Sequence, residues 1–332
     1  MKKCRGNLLD VWILVLLEYV LEREGRTLYT ENPVKDAVIF CKAFLSNQLA
    51  KFAPKLYVKL THQTGRGGEE GDGSQVANYF FMCFDDYLKQ LGVKIEHVES
   101  YLKNKLILEY GPGDILGVAL LFYAYGAETV HCVDRFPLSK MSEKNIDIYV
   151  QLLNSLGGKE RKRAEAVFKE KGNPASGFNE HCIRYKVTKN GLSGANNAYD
   201  LIISRAVLEH VNDLKETMFD VKRCLKKDGL SLHEVDLRSH GLDRYTDFDF
   251  LTWPTFLYAL MYSHKGFPNR WRVSTYKELA NSSRLHVKEL KPTGRLDQSK
   301  LSFIRPKIAK EFRLISPDEL SWLGFWVHLE HA

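Results

Sequence analysis

The fold is decided by the stretch Leu106–Asp114, LILEYGPGD, in which a short apolar run is followed by two closely spaced glycines. The apolar run predicts a buried strand, and the residues from about Ile115 to Tyr125 predict a helix after the glycine turn. A second apolar run, Thr129–Asp134, ends in an acid about 20 residues further on. This β-α-β unit suits a nucleoside ligand, because glycines let the backbone approach the ligand closely and a carboxylate can accept hydrogen bonds from both ribose hydroxyls.

The spacing of the glycines narrows the choice of nucleoside. A dinucleotide fingerprint is G-x-G-x-x-G, whereas the glycines here are Gly111, Gly113 and Gly117, so the third comes one place late. An acid, Glu109, also precedes the first glycine by two residues. This E-x-G-x-G layout resembles motif I of class I S-adenosylmethionine (SAM)-dependent methyltransferases. A dinucleotide enzyme and a plain Gly-Pro-Gly connection stay open on this motif alone.

A second motif lies downstream, in the order that the same superfamily has. It consists of an apolar strand, a connection containing L-E-H-V, a helix, a turn and another strand; the segments are Tyr199–Ser204, Arg205–Val211, Asp213–Leu225, Lys226–Gly229 and Leu230–Val235. These resemble the fourth strand, following helix and fifth strand of class I methyltransferases. The resemblance implies an α/β, Rossmann-like, doubly wound seven-stranded sheet whose last strand is antiparallel, with SAM as cofactor.

A third series of residues narrows the resemblance. His233–His240, HEVDLRSH, is followed by the aromatic Phe248–Leu251 and later by Asn269–Arg272, NRWR. This series resembles methyltransferases of bacterial surface-polysaccharide biosynthesis, over the chain from about Tyr79 to its end. That family implies transfer to a sugar hydroxyl of a glycan or its activated precursor. The chain departs from the pattern at Ser239, where an acid is frequent.

The organisation of the chain is expected to follow three regions. A helical N-terminal extension or cap covers residues 1–104, a SAM-binding core with a helical insert at 137–180 covers 105–236, and an acceptor-side insert with the last two strands covers 237–332. Helices are predicted at Val34–Ala53 and Tyr79–Leu91, and strands at Leu285–Leu290 and Phe325–Leu329. The glycine-rich stretch 64–74 is either a loop that orders over the substrate or a plain linker.

The composition is that of a globular protein, and it limits which partners are to be expected. The 332 residues are 44% hydrophobic and carry a formal net charge of +7, which fits an anionic acceptor or proximity to a membrane surface. No nucleic-acid motif is present, so no nucleic-acid partner is expected. Scattered cysteines without a C-x-x-C pair predict reduced thiols in a cytoplasmic protein. The sequence does not give the oligomeric state.

Two charged or amphipathic stretches have alternative interpretations. Leu8–Leu21, preceded by three basic residues, predicts an amphipathic helix that packs on the core, with peripheral membrane contact as the alternative. Gly157–Arg163 holds four bases and one acid within five positions. It predicts a solvated helix face, with contact to an anionic acceptor or lipid as the alternative.

Residues for the cofactor follow from the motifs. Asp134 is expected to bind the ribose hydroxyls, Gly111 and Gly113 to let the backbone approach the methionine part, and Glu109 to meet its amino group. Adenine contacts are expected near Thr188–Asn190, just after the third strand. The remaining cofactor-binding candidates stand beside these motifs at strand ends: Asp114, Arg135, Ser204 and Arg205.

A catalytic base is needed if the acceptor is an alcohol, and histidine suits the role because its ordinary pKa lies near neutrality. The preferred pair is His240 with Asp236 as its orienting acid, and His233 and His210 are further candidates. No metal is expected, because Arg205 occupies the place where some relatives with an E-H pair have a third ligand.

The acceptor has its own candidate residues. Asn269, Arg270 and Arg272 are expected to hold an anion or sugar hydroxyls, since arginine forks suit bidentate contacts. A small-molecule or glycan acceptor is the expected partner. A metabolite or lipid methyltransferase and a non-catalytic binding protein are the alternatives.

Overall fold

The computed structural model describes residues 29–61, 72–265 and 270–332. The strands are β1 (Leu106–Tyr110), β2 (Thr129–Asp134), β3 (Ile183–Val187), β4 (Tyr199–Arg205), β5 (Leu225–Asp236), β6 (Leu285–Arg295) and β7 (Trp322–His331). The helices are α1 (Pro33–Phe52), α2 (Pro54–Thr61), α3 (Gly73–Leu91), α4 (Val98–Leu102), α5 (Gly117–Ala124), α6 (Glu143–Ser155), α7 (Gly158–Glu165), α8 (Leu214–Cys224), α9 (Thr255–Tyr262), α10 (Val273–Ser282), α11 (Gln298–Ile304) and α12 (Pro317–Leu320).

The seven strands form one sheet in the order β3-β2-β1-β4-β5-β7-β6. Strands β1 to β5 pair in parallel, and β7 is antiparallel, as the sequence predicted. The order turns back between β1 and β4, which is where open α/β sheets bind their ligands. The α/β doubly wound fold with N-terminal helices is therefore confirmed.

The chain divides into two compact units, each built from separate stretches of sequence. The core unit comprises the described residues of His62–Val235, Thr275–Lys291 and Trp326–Ala332. The accessory unit comprises the described residues of Met1–Thr61, Asp236–Ser274 and Pro292–Phe325. The three contiguous regions expected from sequence stay a prediction.

The core unit is held by strands and a helix that are apolar throughout. Ile107 and Leu108 on β1 are buried side by side, although their side chains point to opposite faces of the sheet. Helix α5 has no charged residue, and most of it is buried. Such continuous apolar runs are what a parallel sheet covered on both faces requires. The glycine turn is thereby fixed between two buried elements.

The accessory unit has an aromatic core crossed by a buried ion network. The Arg244 guanidinium donates from Nη1 to Asp36 Oδ2 at 2.7 Å and from Nη2 to Thr252 Oγ1 at 2.6 Å. The Arg244 backbone amide donates to Asp249 Oδ1 at 2.9 Å. All three charged side chains are buried. Because a buried charge is tolerated only when paired, this network fixes the rotation of α1 about its own axis.

Most local predictions agree with the structure, and one does not. The predicted helices at 34–53 and 79–91 correspond to α1 and α3, and the insert contains α6 and α7. The predicted turn Lys226–Gly229 lies instead within β5, where the pairing with β4 shifts register between Tyr199 and Leu201. The shift absorbs the extra residues that the K-K-D-G pattern suggested as a turn.

Two other predictions concern residues outside the described part. The stretch Leu8–Leu21 lies outside it, as does most of the loop at 64–74, since residues 62–71 are not described. Within the described ranges, no helix combines the length and the apolar character that crossing a bilayer needs.

Candidate functional site

The backbone of the turn after β1 favours glycine at two positions. Gly111 has φ +61° and Gly113 has φ +79°, a left-handed region that disfavours other residues. A Cβ added at Gly111 would lie 2.6 Å from Val207 Cγ2, well inside van der Waals contact. The Gly111 amide donates to the Val133 carbonyl at 2.8 Å, which fixes the turn to β2. Val207 therefore fills the space that a side chain at position 111 would need, and contact of this turn with a nucleoside stays a prediction.

Asp134 ends β2 beside this turn. Its Oδ1 accepts from the Arg135 amide at 2.6 Å and from the Phe136 amide at 3.2 Å. Burial raises the pKa of Asp134, and the amides of Phe136, Arg135 and Gly113 partly offset that rise. The structure therefore brings the predicted ribose acid and the glycine turn together.

Glu109 is a buried carboxyl with no cation among the groups that set its pKa. Burial raises the pKa of Glu109 to about 8, against smaller lowering effects from Cys132 and the Ala119 amide. The Cys132 thiol donates to Glu109 Oε2 at 3.8 Å. The charge of Asp134 raises the pKa further, so Glu109 is mainly protonated at neutral pH. A ligand that brings a positive charge would lower the pKa of Glu109 and favour its ionised form.

Asp114 and Arg135 border the same turn. Asp114 is buried, and its backbone carbonyl accepts from Asn145 Nδ2 at 3.3 Å. Arg135 donates from Nη1 to Asn212 Oδ1 at 2.6 Å, and its guanidinium lies 4.6 Å from the centre of the Phe136 ring. Both residues support the walls of the turn, and a direct ligand contact for either stays a prediction.

Two predicted site residues lie in the interior of the sheet. His233 Nδ1 is 2.7 Å from Ser204 Oγ, and His233 Nε2 is 2.6 Å from Ser231 Oγ. All three side chains are fully buried. Burial lowers the pKa of His233 to about 3. A base role for His233 does not fit, because both ring nitrogens are hydrogen-bonded and solvent is excluded. Ser204 contacts this histidine and does not face a ligand.

Arg205 lies at the carboxyl ends of β4 and β5 in a group of charges that the sequence did not reveal. Its Nε is 2.7 Å from Glu234 Oε2, and its Nη2 is 3.2 Å from Asp86 Oδ2 on α3. The guanidinium lies 5.6 Å from the centre of the Trp326 ring. Carboxyl ends of parallel strands are where ligands bind, so Asp86 and Glu234 join the candidate site.

His210 occupies a short 3-10 turn, Leu208–His210, after β4. Its Nε2 is 3.8 Å from Glu209 Oε1, and Glu209 is fully buried while His210 is partly exposed. The distance is that of a charge contact and is too long for a hydrogen bond. A catalytic role for His210 stays a prediction.

A polar cavity of about 570 Å³ lies in the accessory unit. Its lining combines carboxylates, cations and a histidine with a few apolar side chains. The polar groups are Asp236, Arg238, Ser239, His240, Asp243, Asp247, Arg295, Asp297 and Lys300. A volume of this size holds one small molecule, and the donors and acceptors around it suit a ligand rich in hydroxyls.

The predicted base and its orienting acid lie together in this cavity. His240 Nε2 is 3.7 Å from Asp236 Oδ2, and Arg238 holds the same carboxylate from its amide and its guanidinium. Burial raises the pKa of Asp236, but the Arg238 hydrogen bonds outweigh it, so the net pKa is lowered. Burial lowers the pKa of His240 more than Asp236 raises it. His240 is therefore neutral at neutral pH, as a base must be.

Asp243 is a second titratable group of the cavity that the sequence did not single out. Burial raises the pKa of Asp243 to about 6, and the Ser239 hydroxyl partly offsets this through a hydrogen bond. Asp249 and Asp247 raise it further. Ser239 is the position where the resembling family often has an acid. Here a hydroxyl is the better neighbour, because a second carboxylate would repel Asp243.

The predicted anion contacts do not fit the structure. Arg270 is buried and donates to the Trp253 carbonyl and to Thr255 Oγ1, the latter at 2.8 Å. Burial lowers its pKa to about 10. Arg272 is also buried and donates from Nη1 to the Leu237 carbonyl at 3.1 Å. Both guanidiniums hold the aromatic core together, so a role in anion binding is not supported; Asn269 lies outside the described residues.

The basic run on α7 is largely used by the protein itself. Lys159 pairs with Glu99, and Arg161 Nε is 3.1 Å from Glu165 Oε1. Arg163 donates to two backbone carbonyls at the end of α5, at 2.9 and 2.6 Å. These contacts favour the solvated, structural interpretation over an anion-binding site.

Comparison with known proteins agrees with this geometry. The family model described as "Methyltransferase domain" matches residues 88–283, more than half of the chain. No curated protein matches the chain. A solved SAM-dependent methyltransferase from Mesorhizobium loti is 15% identical, with a TM-score of 0.39, over 71% of this chain and 94% of that one.

A second solved structure is geranyl diphosphate C-methyltransferase from Streptomyces coelicolor. It is 12% identical, with a TM-score of 0.38, over 72% of this chain and 77% of that one. At such scores neither solved structure bears on the acceptor.

Proposed function

The chain belongs to the methyltransferase domain family and uses SAM as methyl donor, and on that premise we propose that its acceptor is a sugar-like molecule methylated at a hydroxyl oxygen. SAM supplies a methyl group activated by its sulfonium. The protein must then hold the acceptor oxygen in line and take its proton.

The residues around the glycine turn fit SAM. Gly111 and Gly113 give this turn its left-handed backbone, and Asp134 beside it can accept from the ribose hydroxyls. Glu109, which is buried without a cation, suits the ammonium of the methionine part. These roles are proposals that rest on the chemistry of the groups and on their placement in the core unit.

The polar cavity of the accessory unit is the observation that carries the proposed acceptor class. Its carboxylates and cations are half-buried or exposed, and an apolar acceptor would form no hydrogen bond with any of them. A sugar brings several hydroxyls that donate to carboxylates and accept from arginine and lysine. A glycan sugar or its nucleotide- or lipid-linked precursor fits this lining, as the HEVDLRSH resemblance implies. The cytoplasmic location stays a proposal.

We assign the proton transfer to His240. With SAM bound, its neutral ring would take the hydroxyl proton while the oxygen–carbon bond forms and the carbon–sulfur bond to the methyl group breaks, which leaves S-adenosylhomocysteine as a neutral thioether. Asp236 then stabilises the imidazolium, and the bidentate contact from Arg238 keeps this carboxylate ionised and in position. Asp236 and Arg238 are thus positioning residues for the base.

The acceptor class is tested with methyl-labelled SAM and a panel of acceptors. The panel contains free sugars, nucleotide sugars, amines, carboxylic acids and apolar alcohols. We expect label in a sugar methyl ether that survives mild alkali, which cleaves methyl esters. Transfer only to amines, carboxylates or apolar alcohols would refute the sugar assignment while leaving the methyltransferase activity intact.

The base is tested with His240→Ala. Turnover of the accepted sugar should fall about 100-fold or more, because general-base catalysis is worth at least that much. SAM affinity should stay unchanged. The matched control is His286→Ala, which removes an exposed histidine on β6 and should leave turnover unchanged. Full turnover in His240→Ala would remove His240 as the base.

A further inference from the structure

A row of large apolar side chains is exposed on α1. Leu45 is 67% exposed and Phe52 is 75% exposed, and Val34 and Val38 are exposed on the same helix. At about 100° per residue, these four positions fall within about 40° of one another. Scattered exposed apolar residues are ordinary on a protein surface, but a row along one helix face indicates a site of contact.

Helix α2, next along the chain, also exposes apolar side chains. Leu56 and Leu60 are four residues apart, so they lie on one face, and both are exposed. We call the exposed side chains Val34, Val38, Leu45, Phe52, Leu56 and Leu60 the apolar row. It spans two consecutive helices of the accessory unit.

Two polar residues of α1 face inward, and their bonds keep the apolar row on the outside. Asp36 pairs with the buried Arg244, and Asn47 Nδ2 donates to the Leu260 carbonyl at 2.9 Å. Asp36 and Asn47 are buried. Rotating α1 to bury the row would break an ion pair between buried groups, which is strongly unfavourable. The exposure is therefore built into the fold.

The segment formed by α1 and α2 carries mainly positive charge. Residues 33–61 contain five lysines and a single acid, Asp36, which is buried against Arg244. Lys42, Lys51, Lys55 and Lys59 are exposed. An apolar row among exposed lysines, with its one acid turned inward, complements an anionic surface that also offers an apolar layer.

We propose that α1 and α2 dock this protein on the surface of an anionic lipid bilayer. The apolar row enters the boundary between headgroups and acyl chains, and the lysines contact lipid phosphates. The ammonium of Lys51, 5.2 Å from the centre of the Phe52 ring, can reach headgroups while that ring inserts. This proposal does not depend on the acceptor.

The test is co-sedimentation of the full-length protein with vesicles. Phosphatidylcholine vesicles with and without phosphatidylglycerol are compared at low and high salt. We expect binding only to the anionic vesicles and a large loss of binding at high salt, because surface charges are then screened. Absence of binding to anionic vesicles at low salt would overturn the proposal.

Paired variants locate the contact. The double variant Leu45→Glu with Phe52→Glu should lose vesicle binding while keeping SAM affinity, which reports on folding. Leu314→Glu is the matched control, since Leu314 is 96% exposed in the same unit but outside the apolar row, and it should bind as the unchanged protein does.

Two results would contradict this surface. Vesicle binding that survives the double variant would place the contact elsewhere on the chain. An oligomer in the unchanged protein that the double variant dissociates, without vesicle binding in either, would make the apolar row a protein interface instead. Size-exclusion chromatography of both proteins with light scattering distinguishes this case.

Discussion

Glu109 and Asp134 in the core unit and Asp236 in the accessory unit have pKa values that are shifted in opposite directions. Glu109 and Asp134, beside the glycine turn, are buried where the pKa of each is raised, that of Glu109 to about 8. In the accessory unit, Asp236 accepts hydrogen bonds from Arg238, which hold its pKa below the ordinary value. Glu109 and Asp134 have no strong cationic partner, whereas Asp236 is paired with Arg238.

This difference indicates what each site is built to receive. Burying a carboxyl without a cation costs stability, so such groups concentrate where a ligand supplies the missing charge. SAM brings an ammonium and a sulfonium, which suits the acids of the core unit. The accessory cavity sets three cations, Arg238, Arg295 and Lys300, against four carboxyl groups, so most of its charge is compensated within the cavity and a neutral, hydroxyl-bearing acceptor suits it.

The sharpest test of the comparison is to remove one acid from each unit. Asp134→Ala should weaken SAM binding tenfold or more, about 1.4 kcal/mol, because a carboxylate that accepts from both ribose hydroxyls is lost. Asp236→Asn should leave SAM affinity unchanged. Titration calorimetry with SAM measures both. Equal weakening by the two substitutions would end the distinction between a donor site and an acceptor site.

A smaller effect is expected from the protonation of Glu109. With a pKa of about 8 in the free protein, Glu109 is protonated below that pH, and a bound ammonium favours its ionised form. SAM binding should therefore release a proton, and affinity should rise several-fold from pH 6 to 7.5. This range lies below the ordinary α-amino pKa of about 8, so the ligand keeps its charge.

Calorimetry in two buffers of different ionisation enthalpy measures the released proton. Glu109→Gln keeps the shape of the side chain but cannot ionise, so it should abolish both the proton release and the rise with pH. If the unchanged protein binds SAM without releasing a proton, Glu109 does not meet the ammonium.

The closeness of the glycine turn to Asp134 was predictable because these residues are local in sequence. Gly111, Gly113 and Asp134 belong to one β-α-β unit, and adjacent parallel strands bring their carboxyl ends to the same edge. Asp86 was not predictable in this way, since it comes from α3 and meets Arg205 only in the folded chain. Its one signal in the sequence is a charge within the aromatic stretch FFMCFDDY.

The acceptor side was harder to predict because side-chain direction there depends on distant contacts. His233 and Glu234 are neighbours on β5, yet His233 is buried between serines while Glu234 meets Arg205. Strand alternation sends them to opposite faces, and the sequence does not say which face is enclosed. Arg270 and Arg272 resemble anion contacts until the aromatic residues that enclose them are known.

The smallest expected effect concerns which group of the cavity is the base. His240 must be neutral to act, and burial lowers its pKa below the ordinary 6.5, so turnover should fall only as the pH drops below that value. Asp236 raises the pKa of His240. Asp236→Asn should therefore move this acid limb, the fall in turnover at low pH, to still lower pH, and should also lower the plateau.

Asp243 is the competing base, because its pKa of about 6 would give an acid limb in a similar range. The pH dependence of kcat in Asp236→Asn and Asp243→Asn separates the two. If His240 is the base, Asp243→Asn keeps an acid limb and Asp236→Asn shifts it. A limb that vanishes in Asp243→Asn and stays in place in Asp236→Asn would transfer the role of the base to Asp243.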